Sequence, residues 1–222
     1  MALGALLALA AASASGAEQR FVTRVDNPWF PLTPGTVYVY RGVKDGQASR
    51  DVVTVTRRTR AIQGVRATEV LDNLYLRGKL AERTTDWYAQ DRRGNVWYLG
   101  EATAELDRKG RVTSREGSWL SGRDGASAGV YMPAHPSVGE SGRQEHYAGH
   151  ADDRFRVLDL NATVTTPFVS SSRALLTKEW TPLEPGVVDH KLYVRGIGNV
   201  REETVKGGDE RAVLVTVRHL RR

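Results

Sequence analysis

The chain has 222 residues, 40% of them hydrophobic, with five Trp and eight Tyr, which suits one β domain, or two small ones, with a sizeable core. It has no Cys, which excludes disulfides, thiolate metal sites and an anchor built on an acylated cysteine. The formal net charge of +6 is scattered in short groups such as Arg57-Arg58-Thr59-Arg60 and Arg92-Arg93, not gathered on one element, which argues against a nucleic-acid surface.

Residues 1–14 hold only Ala, Leu, Gly and Ser after Met1, and no charge appears before Glu18. A short apolar run ending in small residues is the pattern of a secretory signal peptide. Ser15-Gly16-Ala17 supplies the small residues a signal peptidase reads, so cleavage is expected after Ala17, with Ala12-Ser13-Ala14 as the alternative. No basic residue precedes the run, so the true start is expected upstream. The run is shorter than the roughly 20 apolar residues that span a bilayer. No second apolar stretch follows, so no transmembrane segment is expected. The sequence therefore predicts a secreted or envelope protein with 1–17 as signal peptide and 18–222 as a single domain.

That domain reads as β throughout. Runs rich in Val, Thr, Tyr and Trp are broken by Gly and Asp turns. The first covers 36–41, with Val37 and Val39 on one face and Tyr38 and Tyr40 on the other. Lys44-Asp45-Gly46 is a turn, and 51–58 and 65–75 follow as extended stretches. The clearest hairpin runs from Asp86-Trp87-Tyr88-Ala89-Gln90, through Asp91-Arg92-Arg93-Gly94, to Asn95-Val96-Trp97-Tyr98-Leu99. An Asp-x-x-Gly loop suits a type I turn closed by a Gly at positive φ. A near copy, Asp107-Arg108-Lys109-Gly110, lies 16 residues on and joins 102–106 to 111–113. The pattern then stops over 114–153, where Gly and Pro recur and a helical turn near Ala148–Asp152 is considered. Strands resume at 154–160, 175–180, 187–194, 199–205 and 211–220. A sheet of roughly ten strands must curl or split to bury one face. The predicted fold is all-β: a large curled antiparallel meander, half-barrel or barrel, with a long irregular insertion at about 114–153.

Several strings resemble a family of uncharacterised secreted bacterial proteins, largely actinobacterial. They are Asn27-Pro28-Trp29-Phe30-Pro31-Leu32, the 86–98 hairpin with Gly100-Glu101, Met132-Pro133-Ala134, Gln144-Glu145, Thr181 to Val188, and Gly196-Ile197-Gly198. The resemblance spans about 27–215 and implies no activity, because that family carries none. A looser likeness to half-barrel envelope proteins of the lipoprotein-carrier type rests on Leu32–Gly35 and Gly196–Gly198. It implies a fold and not a function.

Candidate chemistry is sparse. His135, His146 and His150 lie in the irregular stretch, and His146 and His150 would share one face of a helix at the spacing that suits Zn²⁺. Gly149 between them argues for a loop. Asp86, Asp91, Glu101 and Glu105 crowd the central hairpin and could supply a carboxylate pair. Asp91 has an evident turn role. The aromatic residues Trp87, Tyr88, Trp97, Tyr98 and Trp119 cluster in sequence. Trp87 and Trp97 are expected on one face, Tyr88 and Tyr98 on the other, and one of these faces could line a ligand groove. No nucleotide or cofactor motif is present, and no cofactor is expected. The leading expectation is a non-catalytic protein binding a lipid or other amphiphile on Trp87, Tyr88, Trp97, Tyr98 and Trp119. A hydrolase of envelope or extracellular polymer, and a structural module with a filled barrel, are the alternatives. The oligomeric state stays open.

Overall fold

A computed structural model describes residues 21–220. The expected signal peptide lies outside the described residues. Ten long strands carry the architecture: β2 (Thr36–Lys44), β3 (Gln47–Ile62), β4 (Val65–Leu76), β5 (Lys79–Asp91), β6 (Val96–Leu106), β12 (Arg154–Thr165), β13 (Ser170–Trp180), β14 (Val188–Val194), β15 (Gly198–Lys206) and β16 (Arg211–His219). Six short strands complete it: β1 (Phe21–Val22), β7 (Val112–Ser114), β8 (Trp119–Leu120), β9 (Ser127–Met132), β10 (Ser141–Arg143) and β11 (Glu145–His146). All pairings are antiparallel, and the path runs β10-β12-β13-β14-β15-β16-β2-β3-β4-β5-β6-β9-β11.

This path is a nearly closed barrel. The last long strand lies beside the first, with Val213 opposite Arg41 and Val217 opposite Tyr38. Closure removes most of the exposed edge that a meander would otherwise leave. One seam stays unsealed, between β12 and β9. There the short run from β10 to β11 pairs with β12 through its first half and with β9 through its second. Gly129 on β9 permits this approach, since a Cβ there would lie 2.1 Å from the Arg143 carbonyl oxygen.

Local chemistry explains the hairpins. Asp45-Gly46, Gln63-Gly64 and Arg77-Gly78 have positive φ at both residues, the two-residue turn that matches strand twist. At the longer turns, Asp91 Oδ1 accepts from the amides of Arg93 and Asn95, each at 2.9 Å. Asp107 repeats this with Lys109 and Arg111 at 2.8 and 3.0 Å.

Two expectations are corrected. Residues 95–99 and 102–106 are not two strands but parts of the single β6. Gly100 does not end it. The pairing with β5 slips between Trp87 and Tyr88, opposite this glycine, and the bulge rephases the side chains. Tyr98 and Glu101 thereby come within hydrogen-bonding reach of each other. The 114–153 stretch is also less irregular than its composition suggests. Its glycines and prolines cut it into β8, β9, β10 and β11, too short to show alternation, yet three of these form the wall at the seam. At Ala148–Asp152 there is one isolated turn and no helix, the His150 and Ala151 amides both donating to the Tyr147 carbonyl at 2.9 Å. Tyr147 and Ala151 bridge each other around Gly149, whose φ is +79°.

Candidate functional site

One end of the barrel is capped by the chain that precedes β2. Asn27 anchors it: its Nδ2 donates to the Gly94 and Pro133 carbonyls at 2.9 and 3.0 Å, and its Oδ1 accepts from the Trp29 amide at 2.8 Å. Gln90 Oε1 accepts from the Asp26 and Asn27 amides, and Gln90 Nε2 donates to Asp26 Oδ1. Across the barrel, the Gly196 amide donates to the Pro28 carbonyl at 2.7 Å. The segment thus runs from the β5–β6 turn to the β14–β15 turn, with Trp29 and Leu32 buried in the core. Four of the strings singled out in the sequence meet in this cap.

Behind the cap lies a cavity of about 170 Å³. Its apolar wall is aromatic. Tyr88 and Tyr98 are opposite each other in the ladder and their rings stack at 4.7 Å and 12°. Phe30 sits 5.2 Å from Tyr88 and 4.6 Å from Tyr131, and Tyr131 closes the group 5.1 Å from Tyr88. Trp119 meets Tyr98 edge-on at 5.3 Å. Three of the five expected aromatics, Tyr88, Tyr98 and Trp119, therefore come together inside. Of these, Tyr88 lines the cavity. Trp87 and Trp97 do not join them. Trp87 packs in a separate patch with Ile62, Val65 and Leu99, under the Arg60 guanidinium at 4.2 Å. Trp97 donates from Nε1 to Asp91 at 3.0 Å and meets Phe21 edge-on. Phe30 and Tyr131 were not anticipated as site residues. The only signal for Phe30 was its place in the Asn27–Leu32 string.

The polar wall is acidic. Asp51, Asp72, Asp86 and Glu202 face the cavity, with Lys191 as its one basic residue. They arrive from β3, β4, β5 and β15, each on a strand face that alternates into the lumen. Lys191 is already matched, with Nζ 3.0 Å from Glu179 and 3.6 Å from Glu202. Burial works against its ammonium, but the charges of Glu179 and Glu202 outweigh this and raise its pKa well above the ordinary value.

The carboxyls are strongly perturbed in the opposite sense. Burial, with the hydrogen bond and charge of Asp72, pushes Asp51 far above the usual carboxylate range. Its Oδ1 is fully buried and accepts no N–H or O–H bond from a neutral or cationic group among the described residues. Burial and then the Glu101 charge push Asp86 up, against the hydrogen bond from Tyr98. Burial raises Glu202 to about 7 despite Lys191. The Tyr98 hydroxyl lies 2.5 Å from Asp86 Oδ1 and 3.0 Å from Glu101 Oε2. One hydroxyl proton cannot serve both carboxylates, so the pair is most favourable when one of them is protonated. The carboxylates weighed from sequence thus split. Asp86 and Glu101 converge on Tyr98, whereas Asp91 is spent on its turn.

The histidines do not converge as the helical spacing would require. The chain there is strand and tight turn, so His146 and His150 do not share a helix face. His146 Nδ1 lies 3.8 Å from Asp152, which is itself held by Arg143 and Arg154. His150 bonds Glu116 at 2.9 Å and stacks on Tyr147 at 4.4 Å. Among the described residues, no group of three His, Cys, Asp or Glu is placed to hold a metal. No described helix is long and apolar enough to cross a membrane.

No family model and no curated protein matches this chain. Two solved structures are similar to it. One, from Bacteroides fragilis, is described as exported with a YmcC-like fold; it is 15% identical, with 90% of this chain and 99% of that chain covered and a TM-score of 0.49. The other, described as a lipoprotein of Parabacteroides distasonis, is 12% identical, with the same coverage and a TM-score of 0.44. Neither comes from the actinobacteria to which the sequence strings pointed.

Proposed function

We propose that this chain is an exported barrel that binds a small amphipathic molecule in its lumen. The observation that carries the reading is the 170 Å³ cavity, lined by aromatic rings and by carboxyls, with a buried Asp51 oxygen that accepts no hydrogen bond from the described residues. Small-molecule sites combine an apolar lining with a few polar groups in this way. A filled barrel, the structural-module alternative, would leave no such space. The apolar N-terminal run supports export. A cavity of about 150 Å³ holds a benzene-sized molecule, so a ring-sized group fits here and a whole lipid does not. Tyr88, Phe30 and Tyr131 are the proposed apolar contacts. Tyr98 and Trp119 support them from behind.

Native mass spectrometry of the mature protein purified from its own envelope or medium, followed by organic extraction, tests this. The expected result is a co-purifying small molecule that is lost in Tyr88→Ala, with circular dichroism showing that the variant stays folded. A bare mass, together with no binding of small aromatic or aliphatic compounds, would overturn it.

A second reading, hydrolysis of an extracellular polymer, is favoured by one observation: Asp86 and Glu101 meet on the Tyr98 hydroxyl. Paired carboxyls in unlike environments can divide acid and base roles. Release of reducing ends from an envelope glycan, abolished in Glu101→Gln, would support it. Equal release by the variant would end it.

A further inference from the structure

Resting on the lumen being a ligand site, we infer that the group bound there is cationic: a protonated or quaternary amine carried on a ring-sized or short alkyl body. Three observations converge on this.

The first is the imbalance of charge around the space. Four carboxyls, Asp51, Asp72, Asp86 and Glu202, face it against a single ammonium, Lys191, and that ammonium is already held by Glu179 and Glu202 at 3.0 and 3.6 Å. The chain as a whole runs the other way, with 32 basic and 26 acidic residues. The acidity of the lumen is therefore a local placement, not a reflection of composition. Buried carboxylates without counter-charge are costly and take up protons instead. An ammonium entering the space would supply the charge that the walls lack.

The second is the fully buried Asp51 Oδ1, to which no N–H among the described residues donates, the Asp51 carboxyl having another carboxyl, that of Asp72, as its side-chain neighbour. Buried polar atoms are almost always paired in native proteins, and an N–H donor is what this oxygen is missing. The third is the aromatic part of the same lining. Phe30, Tyr88 and Tyr131 gather within 4.6 to 5.2 Å of one another beside the same cavity. The faces of such rings attract cations, more strongly where water is excluded. Aromatic rings beside carboxylates, as Tyr88 lies two residues from Asp86 on β5, are an arrangement that suits an organic ammonium. A bare metal ion fits less well, because no three acidic or histidine side chains among the described residues are grouped to coordinate one.

The test uses compounds of similar size and apolar body that carry a cationic, a neutral or an anionic head. Isothermal titration of the full mature chain at pH 7.5 compares benzylamine, benzyl alcohol and benzoate, then butylamine, butanol and butyrate. The expected result is that one or both amines bind at least roughly tenfold more tightly than the matching alcohol, with the carboxylates weakest. In Asp51→Asn the amine preference should shrink and alcohol binding should stay as it was. Asp86→Asn is the second variant, and circular dichroism checks the fold of both. If alcohols and amines bind equally, the cationic inference falls and the ligand reading stands. If no compound of either series binds to folded protein, both fall together.

Discussion

The cap and the acidic wall behind it solve the same problem in opposite ways. Both bring polar side chains into a barrel interior. At the capped end, Asn27 and Gln90 are buried, and each makes three hydrogen bonds to the chain around it. Along the acidic wall, Asp51 has a buried oxygen with no N–H donor, and a single Tyr98 proton is shared between Asp86 and Glu101. A satisfied buried network rigidifies a structure, whereas an unsatisfied one costs stability and calls for an explanation. The cap is explained by the bonds it makes, whereas the acidic wall is explained by the ligand proposed above.

The largest expected effect lies in the cap. Asn27→Ala removes three hydrogen bonds and leaves the Gly94 and Pro133 carbonyls without their donor. The expected cost is roughly 3 kcal/mol. For a chain of this size that is a fall in Tm of about 6–12 °C by thermal denaturation. A loss below about 1 kcal/mol would erase the contrast between the two regions.

The acidic wall should respond with the opposite sign, and to pH. Asp51, Asp86, Glu101, Glu145 and Glu202 all have raised pKa values, burial being the first cause for each, with Glu145 near 9 and Glu202 near 7. The folded chain then binds protons that the unfolded chain has released. Stability is full below the unfolded carboxylate value of about 4 and is lost as pH rises through the folded values. The surface groups Asp91 and Asp107 act in reverse. Hydrogen bonds lower their pKa, against some burial, and that contribution is lost as pH falls below about 4. Stability should therefore peak near pH 4–5 and decline toward pH 9, with Tm falling by roughly several degrees. Asp51→Asn removes one of the raised groups, so it should stabilise the chain by about 1–2 kcal/mol at pH 8 and change little at pH 4.5. A destabilised Asn variant at pH 8 would mean that the Asp51 charge has a partner after all.

The turns were legible in the sequence, whereas neither the cap nor the acidic wall was. Turn chemistry is local, so Asp45-Gly46 and the two Asp-x-x-Gly loops announce themselves. The alternation of Tyr88 and Tyr98 against Trp87 and Trp97 could be read, because neighbouring strand residues face opposite sides. Which face would be inside could not, since that depends on which way the sheet curls. For the same reason Asp86 read as a residue flanking a strand. A carboxylate in an alternating strand looks solvent-facing until β16 pairs with β2 and encloses it. The continuity of β6 through Gly100 could not be read either, because a bulge and a strand end look alike in one chain. The short strands β8 to β11 lacked the length to show a period at all.

The smallest expected effect sets the baseline for both regions. His150 is exposed on the turn after β11, and its bond to Glu116 joins two exposed side chains. Exposed pairs contribute between about 0 and 1 kcal/mol, so His150→Ala should shift Tm by roughly 2–4 °C at most. The same variant separates this geometry from the zinc site that the His146/His150 spacing suggested. Added zinc should leave the Tm of the parent chain and of His150→Ala equally unmoved. A zinc-dependent rise in the parent alone would mean that the turn around Gly149 rearranges to bring the two imidazoles together, and that a third polar cluster, outside the lumen, must be counted as functional beside the acidic wall.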